Sequence, residues 1–288
     1  MKENARETTN KTNRHSWVLV ASVAGLIVGS LIISGFIRSA DTSFLCSLAN
    51  KQGRDAEDFA ATPIQLQAIL HYATSKITPQ QSYGEISVTL DVLKARPPCN
   101  FLVFGLGFDS LMWKSFNARG TTIFLEEDPK WVATVLKTAP TLNAHTVQYR
   151  TQLQEADELL RTYKSEPYCS PGKAYLRGNF QCKLALTGLP DVVYDNEWDL
   201  IMIDAPRGYF PEAPGRMAAI FSAAVMARAR KGPGVTHVFL HDVDRKVEKT
   251  FAEEFLCRKY LVKHVGRLWH FEIPSASNMT NSGGDSFC

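Results

Sequence analysis

Two short apolar runs joined through a glycine turn constrain this chain more than any other feature. Phe101-Leu102-Val103-Phe104 has the length and composition of a buried parallel strand, and it opens directly into Gly105-Leu106-Gly107-Phe108-Asp109-Ser110. Glycines at that point let the backbone approach a ligand closely. A second run, Thr122-Ile123-Phe124-Leu125, then ends in Glu126-Glu127-Asp128, where a carboxylate can hold the two hydroxyls of a ribose. With a helical stretch over Leu111–Asn117 between them, the order is that of a βαβ unit. A lone GxG is also an ordinary tight turn; the order of the elements is what favours an adenosine site. The expected cofactor contacts are Gly105, Gly107, Phe108, Glu126 and Glu127.

Ser110 stands where a dinucleotide fingerprint carries its third glycine, so a pyrophosphate is poorly served. S-adenosylmethionine has no phosphate and suits the turn better.

The rest of the chain extends the alternation. Helices are expected over Pro63–Lys76 and Tyr83–Lys94, closed by Arg96-Pro97-Pro98, since proline breaks a helix. After the second strand come a helix over Lys130–Lys137, a strand over His145–Tyr149 and a helix over Gln152–Tyr163. An irregular insertion, 165–196, precedes a strand over Trp198–Ile203 that ends in Asp204-Ala205-Pro206-Arg207. A helix over Arg216–Arg230, a strand over Val235–Leu240 ending in His241-Asp242-Val243-Asp244, and a helix over Lys246–Lys259 follow. Tyr260–Val265 and Leu268–Ile273, joined at Gly266-Arg267, form a hairpin. The predicted fold is α/β: a Rossmann-like class I S-adenosylmethionine methyltransferase fold with a terminal antiparallel hairpin, preceded by one transmembrane helix.

That helix is read from Trp17–Ile37, a stretch with no charged residue and about 21 residues long, enough to cross a bilayer. Lys2, Arg6, Lys11 and Arg14 precede it and only Arg38 follows closely, which places the N-terminus in the cytosol. A cleaved signal peptide is the rival reading, with a shorter apolar core of about 7–15 residues. The expected organisation is a cytosolic tail (1–16), a signal anchor (17–37), a stem (38–60), a luminal catalytic domain (61–274) and a disordered tail (275–288). The net charge of +3 is far from the basicity of a nucleic-acid binder. Six cysteines without a CxxC pair argue against a zinc site and suit an oxidising lumen. Cys169 and Cys182 bracket a polar stretch that a disulfide would staple, with connectivity left open. Asn278-Met279-Thr280 is a glycosylation acceptor pattern.

Ligands of a doubly wound sheet gather at the carboxyl ends of its strands. Asp204, Asp242 and Asp244 each fall at such an end, a set of hard oxygen donors for a divalent cation. The same acids also suit caps of the helices that follow. Asp204, His241 and Arg207 are the catalytic-site candidates, His241 as a base or as a packed structural residue. Arg207 does not deprotonate and fits a carboxylate bidentately, which points to an acidic acceptor, with Arg177, Arg216, Arg245 and Lys246 as further members of a basic patch or as solvated charges.

Assembled, these motifs resemble the plant glucuronic acid 4-O-methyltransferases of cell-wall polysaccharides. The resemblance spans about residues 60–274 and rests on Cys99-Asn-Phe-Leu-Val-Phe-Gly-Leu-Gly107, Asp109-Ser-Leu-Met-Trp113, Phe124-Leu-Glu-Glu-Asp128 and Trp198-Asp-Leu-Ile-Met-Ile-Asp-Ala-Pro206. It implies methyl transfer from S-adenosylmethionine to O4 of glucuronic acid on a glycan in the Golgi, by a single-pass type II protein, with a divalent metal as a further option. Gly107-Phe108-Asp109 and the anchor lean toward the arabinogalactan group, with glucuronoxylan as the alternative acceptor. Two departures stand out. S-adenosylmethionine enzymes in general carry an acid two residues before the first glycine, where this chain has Val103, and metal-dependent catechol-type enzymes carry a lysine where it has Arg207. A non-catalytic Golgi scaffold and a nucleotide-dependent oxidoreductase are the competing classes; intact strand-end acids oppose the first, and Ser110 with the terminal hairpin opposes the second.

Overall fold

The computed structural model describes residues 61–276 and 286–288. Its centre is a seven-stranded sheet built from β1 (Asn100–Phe104), β2 (Thr121–Glu126), β3 (Asn143–Thr146), β4 (Leu200–Ile203), β5 (Val235–Leu240), β6 (Leu261–Val265) and β7 (Leu268–Pro274). The order across the sheet is β3-β2-β1-β4-β5-β7-β6. The first five strands run parallel, and β7 enters antiparallel beside β5. This is the topology of a Rossmann-like methyltransferase with the terminal hairpin the sequence predicts.

The central strands are rich in apolar residues because both faces of a parallel sheet are covered. Leu102, Phe104, Ile201, Ile203, Val238 and Leu240 face one core, shared with the helix α7 (Met217–Ala229) and with Phe251, Phe255 and Phe287. Phe101, Val103, Leu200, Met202 and Phe239 face the other, under α1 (Pro63–Thr74), α2 (Tyr83–Ala95), α3 (Ser110–Phe116) and α4 (Pro129–Thr138). Helix α7 is buried on nearly every side, so its Ala-rich sequence needs no polar stripe.

Local signals fix the element starts. Ser82 and Glu85 form a capping box at the head of α2, and Asp128 caps α4 with Pro129 at its first position. The short helices α5 (Ala156–Thr162) and α6 (Asp191–Asp195) frame the insertion, which is otherwise irregular as expected. Arg150 organises it by donating to the carbonyls of Phe180, Cys182 and Ala185, and the Cys169–Cys182 disulfide closes it.

Three expectations are corrected. The third strand is Asn143–Thr146 instead of His145–Tyr149: its pairing stops at Glu126↔Thr146, where β2 itself ends. The helix expected over Lys246–Lys259 is α only as α8 (Lys246–Phe251) and continues as a π turn, Ala252–Leu256. Cys257 ends it at φ 74 and bonds to Cys288. The tail, expected to be disordered over 275–288, is therefore tied down at its end, with Phe287 packed against Phe221 and Phe255. Residues 277–285, which include Asn278, lie outside the described residues, as do the expected cytosolic tail, anchor and stem. Among the described residues no helix is long and apolar enough to cross a membrane.

The second disulfide closes a separation of 31 residues, worth about 3–4 kcal/mol by loop-closure entropy. Replacing Cys257 and Cys288 together by serine is expected to lower the thermal midpoint while leaving the sheet, and its far-ultraviolet dichroism, intact.

Candidate active site

The carboxyl ends of β1, β2, β4 and β5 open into a cavity of about 480 Å³, where ligands of such sheets bind. Gly105 leaves β1 at φ 129, and a Cβ there would meet Ala205 Cβ at 3.4 Å. The turn thus lies hard against the loop after β4, in a conformation that glycine tolerates and other residues resist. Gly107 and Phe108 line the same wall. Phe108 is 46% exposed and stands edge-on to Trp131, whose indole N–H donates to the Leu106 carbonyl at 2.6 Å.

The paired glutamates divide two tasks. Glu126 accepts from the Leu106 and Asp128 backbone N–H groups, both at 3.1 Å; it locks the glycine turn onto β2. Burial, with the Glu127 charge beside it, pushes its carboxyl up to about 7. Glu127 accepts through Oε1 from the backbone and Nε of Arg207. Its Oε2 is buried and receives no backbone or cationic donor among the described residues; the raised Glu126 carboxyl is the side chain that hydrogen-bonds Glu127. An acceptor oxygen left open in a cavity wall is costly unless a ligand donor meets it, and a ribose hydroxyl is such a donor.

At the end of β4, Asp204 faces the cavity. His241 Nδ1 lies 3.0 Å from its Oδ1, and Gln81 donates to its Oδ2 at 3.1 Å. Burial alone raises a carboxyl, but the His241 hydrogen bond and the Arg216 charge outweigh it and hold Asp204 below its usual range. His241 moves the opposite way: burial lowers it, while Asp204 and then Asp242 raise it above the ordinary histidine value. With Asp204 ionised, Nδ1 carries the proton. The imidazole is 1% exposed and does not line the cavity. Its far side faces Glu85, with Nε2 at 3.6 Å from Oε1. Glu85, His241 and Asp204 therefore form a line that reaches the cavity only at Asp204.

Arg216 joins the two strand ends. Its Nη2 donates to Asp242 Oδ2 at 2.8 Å and to the Asp204 carbonyl at 2.5 Å, and its Nη1 donates to the His241 carbonyl at 2.8 Å. Asp242, at φ 60, also receives Arg245 at 3.0 Å and Arg267 at 2.5 Å. Backbone strain of this kind persists where the surroundings over-determine it.

The cation set Asp204, Asp242 and Asp244 is assembled only in part. Asp204 and Asp242 converge with His241, their ligand atoms within 4.8 Å of one another. Asp244 is exposed and outside that group. Three guanidinium groups already neutralise Asp242, and one of them reaches Asp204. That arrangement does not fit a divalent cation held by the three aspartates, because positive charge already fills the place it would take.

Of the expected basic patch, Arg207, Arg216 and Arg245 line the cavity. Arg177 and Lys246 pair instead with Asp195 and Asp157 on the surface. Sequence reasoning missed Glu85 and Gln81; the Ser82–Glu85 capping spacing was the one readable sign that this segment is fixed in place.

Comparison with known proteins follows the same residues. The model of the IRX15/IRX15L/GXM family matches residues 84–271, which hold the sheet up to the middle of β7 and nearly all of the cavity wall. The chain belongs to that family. It is 65% identical over 274 residues to a protein of Arabidopsis thaliana named arabinogalactan O-methyltransferase 2, covering 94% of each chain. Arabinogalactan O-methyltransferase 1 of the same plant is 65% identical over 279 residues, covering 94% of this chain and 96% of the relative. Glucuronoxylan 4-O-methyltransferase 1 is 48% identical over 223 residues, covering 77% and 78%. Within this family the open Glu127 oxygen gives a direct test. Glu127→Gln is expected to weaken S-adenosylhomocysteine about 10- to 100-fold, the worth of a charged hydrogen bond, measured by isothermal titration.

Proposed function

We propose that this protein transfers methyl from S-adenosylmethionine to O4 of glucuronic acid on arabinogalactan glycans. The observation that carries the reading is one cavity in which an open ribose acceptor, Glu127 Oε2, and an ionised acid, Asp204, flank the glycine turn. The arabinogalactan acceptor is favoured over glucuronoxylan by 65% identity against 48% to the respective named relatives.

S-adenosylmethionine supplies a methyl group on a positively charged sulfur. Gly105 and Gly107 allow its close approach, Glu127 accepts from its ribose, and the protein aligns the acceptor oxygen with the methyl carbon and sulfur. The acceptor O4 bonds to carbon as the carbon–sulfur bond breaks, the electron pair stays on sulfur, and the O4 proton passes to Asp204. A carboxylate suffices as the acceptor of that proton because the hydroxyl becomes strongly acidic as the new bond forms. His241 and Arg216 keep Asp204 ionised beforehand. Arg207 and Arg245, with side chains 46% and 34% exposed at the cavity wall, bind the uronate carboxylate.

Residence in the Golgi membrane, with the catalytic domain luminal, belongs to the same proposal. It is supported by the uncharged Trp17–Ile37 stretch behind four basic residues and by two disulfides, which an oxidising compartment permits. In sealed microsomes the domain is then shielded from added protease.

Acceptor recognition is tested with arabinogalactan whose glucuronic acid has been reduced to glucose. Methyl incorporation from labelled donor is expected to vanish with the carboxylate. Equal incorporation into native and reduced glycan would contradict the arginine assignment.

A further inference from the structure

Six carboxylates line the cavity: Asp109, Glu126, Glu127, Asp128, Asp204 and Asp242. Five are engaged. Glu126 accepts backbone N–H groups on both oxygens, Glu127 and Asp128 face Arg207, Asp204 holds His241 and Arg216, and Asp242 holds three arginines. Asp109 alone has neither a cation nor a second strong donor among the described residues. Its Oδ2 accepts the Trp113 indole N–H at 2.7 Å, and its Oδ1 stands beside Gly107, where a Cβ would lie 3.1 Å away.

The side chain is also held rigidly. Trp113 is 1% exposed and lies edge-on between Phe101 and Phe116, and its backbone N–H donates to the Asp109 carbonyl. A carboxylate fixed by packing in a half-buried cavity wall, with its own backbone N–H as the one donor besides Trp113, is pre-organised for a cationic partner. Burial, with Asp204 second, pushes its carboxyl up to about 6, as befits an acid whose counter-charge is not supplied by the chain. Val103, where other S-adenosylmethionine enzymes carry an acid, lines the same cavity and has only an apolar side chain to offer.

We infer that Asp109 binds the α-ammonium group of the methyl donor, taking over from the next turn of chain the role that Val103 cannot perform. The inference rests on the methyl-donor reading above and names the group that holds the amino acid end of the donor. An ammonium meets Oδ1 with a charge-assisted hydrogen bond, and the Trp113 N–H keeps the carboxylate from turning away.

Two ligands separate this role from a structural one. S-adenosylhomocysteine carries the α-ammonium, and 5′-methylthioadenosine keeps the adenosine and sulfur but lacks the amino acid portion. In isothermal titration, Asp109→Asn is expected to weaken S-adenosylhomocysteine about 10- to 100-fold, the range for a hydrogen bond to a charged group, and to leave 5′-methylthioadenosine unchanged. Asp109→Glu keeps the charge and is expected to retain part of the preference for S-adenosylhomocysteine. Glu127→Gln, by contrast, weakens both ligands, because both carry the ribose. Equal loss of both ligands in Asp109→Asn, or loss of neither, would overturn the assignment. Failure of the unmodified protein to bind S-adenosylhomocysteine, with no variant involved, would overturn the methyl-donor reading and the assignment with it.

Discussion

Arg216→Met is expected to lower the unfolding free energy by about 3–5 kcal/mol, the usual cost of breaking a buried ion pair from one side, and to abolish methyl transfer. The arginine is 4% exposed, and its guanidinium satisfies the carbonyls of Asp204 and His241 together with the Asp242 carboxylate. Methionine keeps much of the apolar stem but leaves these acceptors unpaired, each a buried polar atom with its desolvation unrecovered. The two strand ends then lose the group that sets their spacing. Arg216→Lys keeps a charge but lacks the planar fork, so it should regain part of the stability and little of the activity. Urea unfolding measures the first quantity and labelled-methyl incorporation the second. A loss under about 1 kcal/mol, within the range of an exposed pair, would mean that Arg216 does not organise the site.

Asp204→Asn is expected to lower turnover about 10²- to 10⁴-fold, the range for removing a positioned acid or base, with S-adenosylhomocysteine binding unchanged. Asparagine keeps the shape and one acceptor oxygen for His241, turns the other oxygen, which accepts from Gln81, into a donor, and removes the charge that receives the proton. His241 acts through Asp204, since the imidazole is buried behind it, and its variant should show a different signature. The hydrogen bond from His241 helps hold Asp204 below its usual range; with His241→Asn the Asp204 pKa rises. Turnover requires the ionised acid, so the acidic limb of the turnover–pH profile is expected to move to higher pH. Unchanged limbs together with a uniform drop in rate would assign His241 a packing role.

The parts of this molecule that local chemistry determines were legible. β1, β2, β4 and β5 each contain an apolar run of three residues or more and were placed within two residues. That Gly105, Gly107 and Glu127 line one cavity followed from the glycine turn after β1 and the acidic end of β2. Features set by contacts between distant segments were not. The edge strand β3 is half exposed, so its period-2 pattern shifts by two or three residues without penalty. The helix after β5 ends early because Cys257 is bonded to a residue 31 positions away. Arg216 reads as a surface charge because nothing beside it in the chain announces Asp204 and Asp242; burial comes only when both strand ends meet it. Asp109 sat inside a recognised motif, yet its function depends on which of its neighbours in space lack partners, a fact no spacing carries.

The central claim is tested most directly by incubating the protein with S-adenosylmethionine and arabinogalactan, then hydrolysing the glycan and locating the methyl group by nuclear magnetic resonance. The account predicts 4-O-methylglucuronic acid formed in step with S-adenosylhomocysteine, and neither product with Asp204→Asn. Methyl groups on neutral sugars, or no incorporation by a protein that binds the donor, would contradict it.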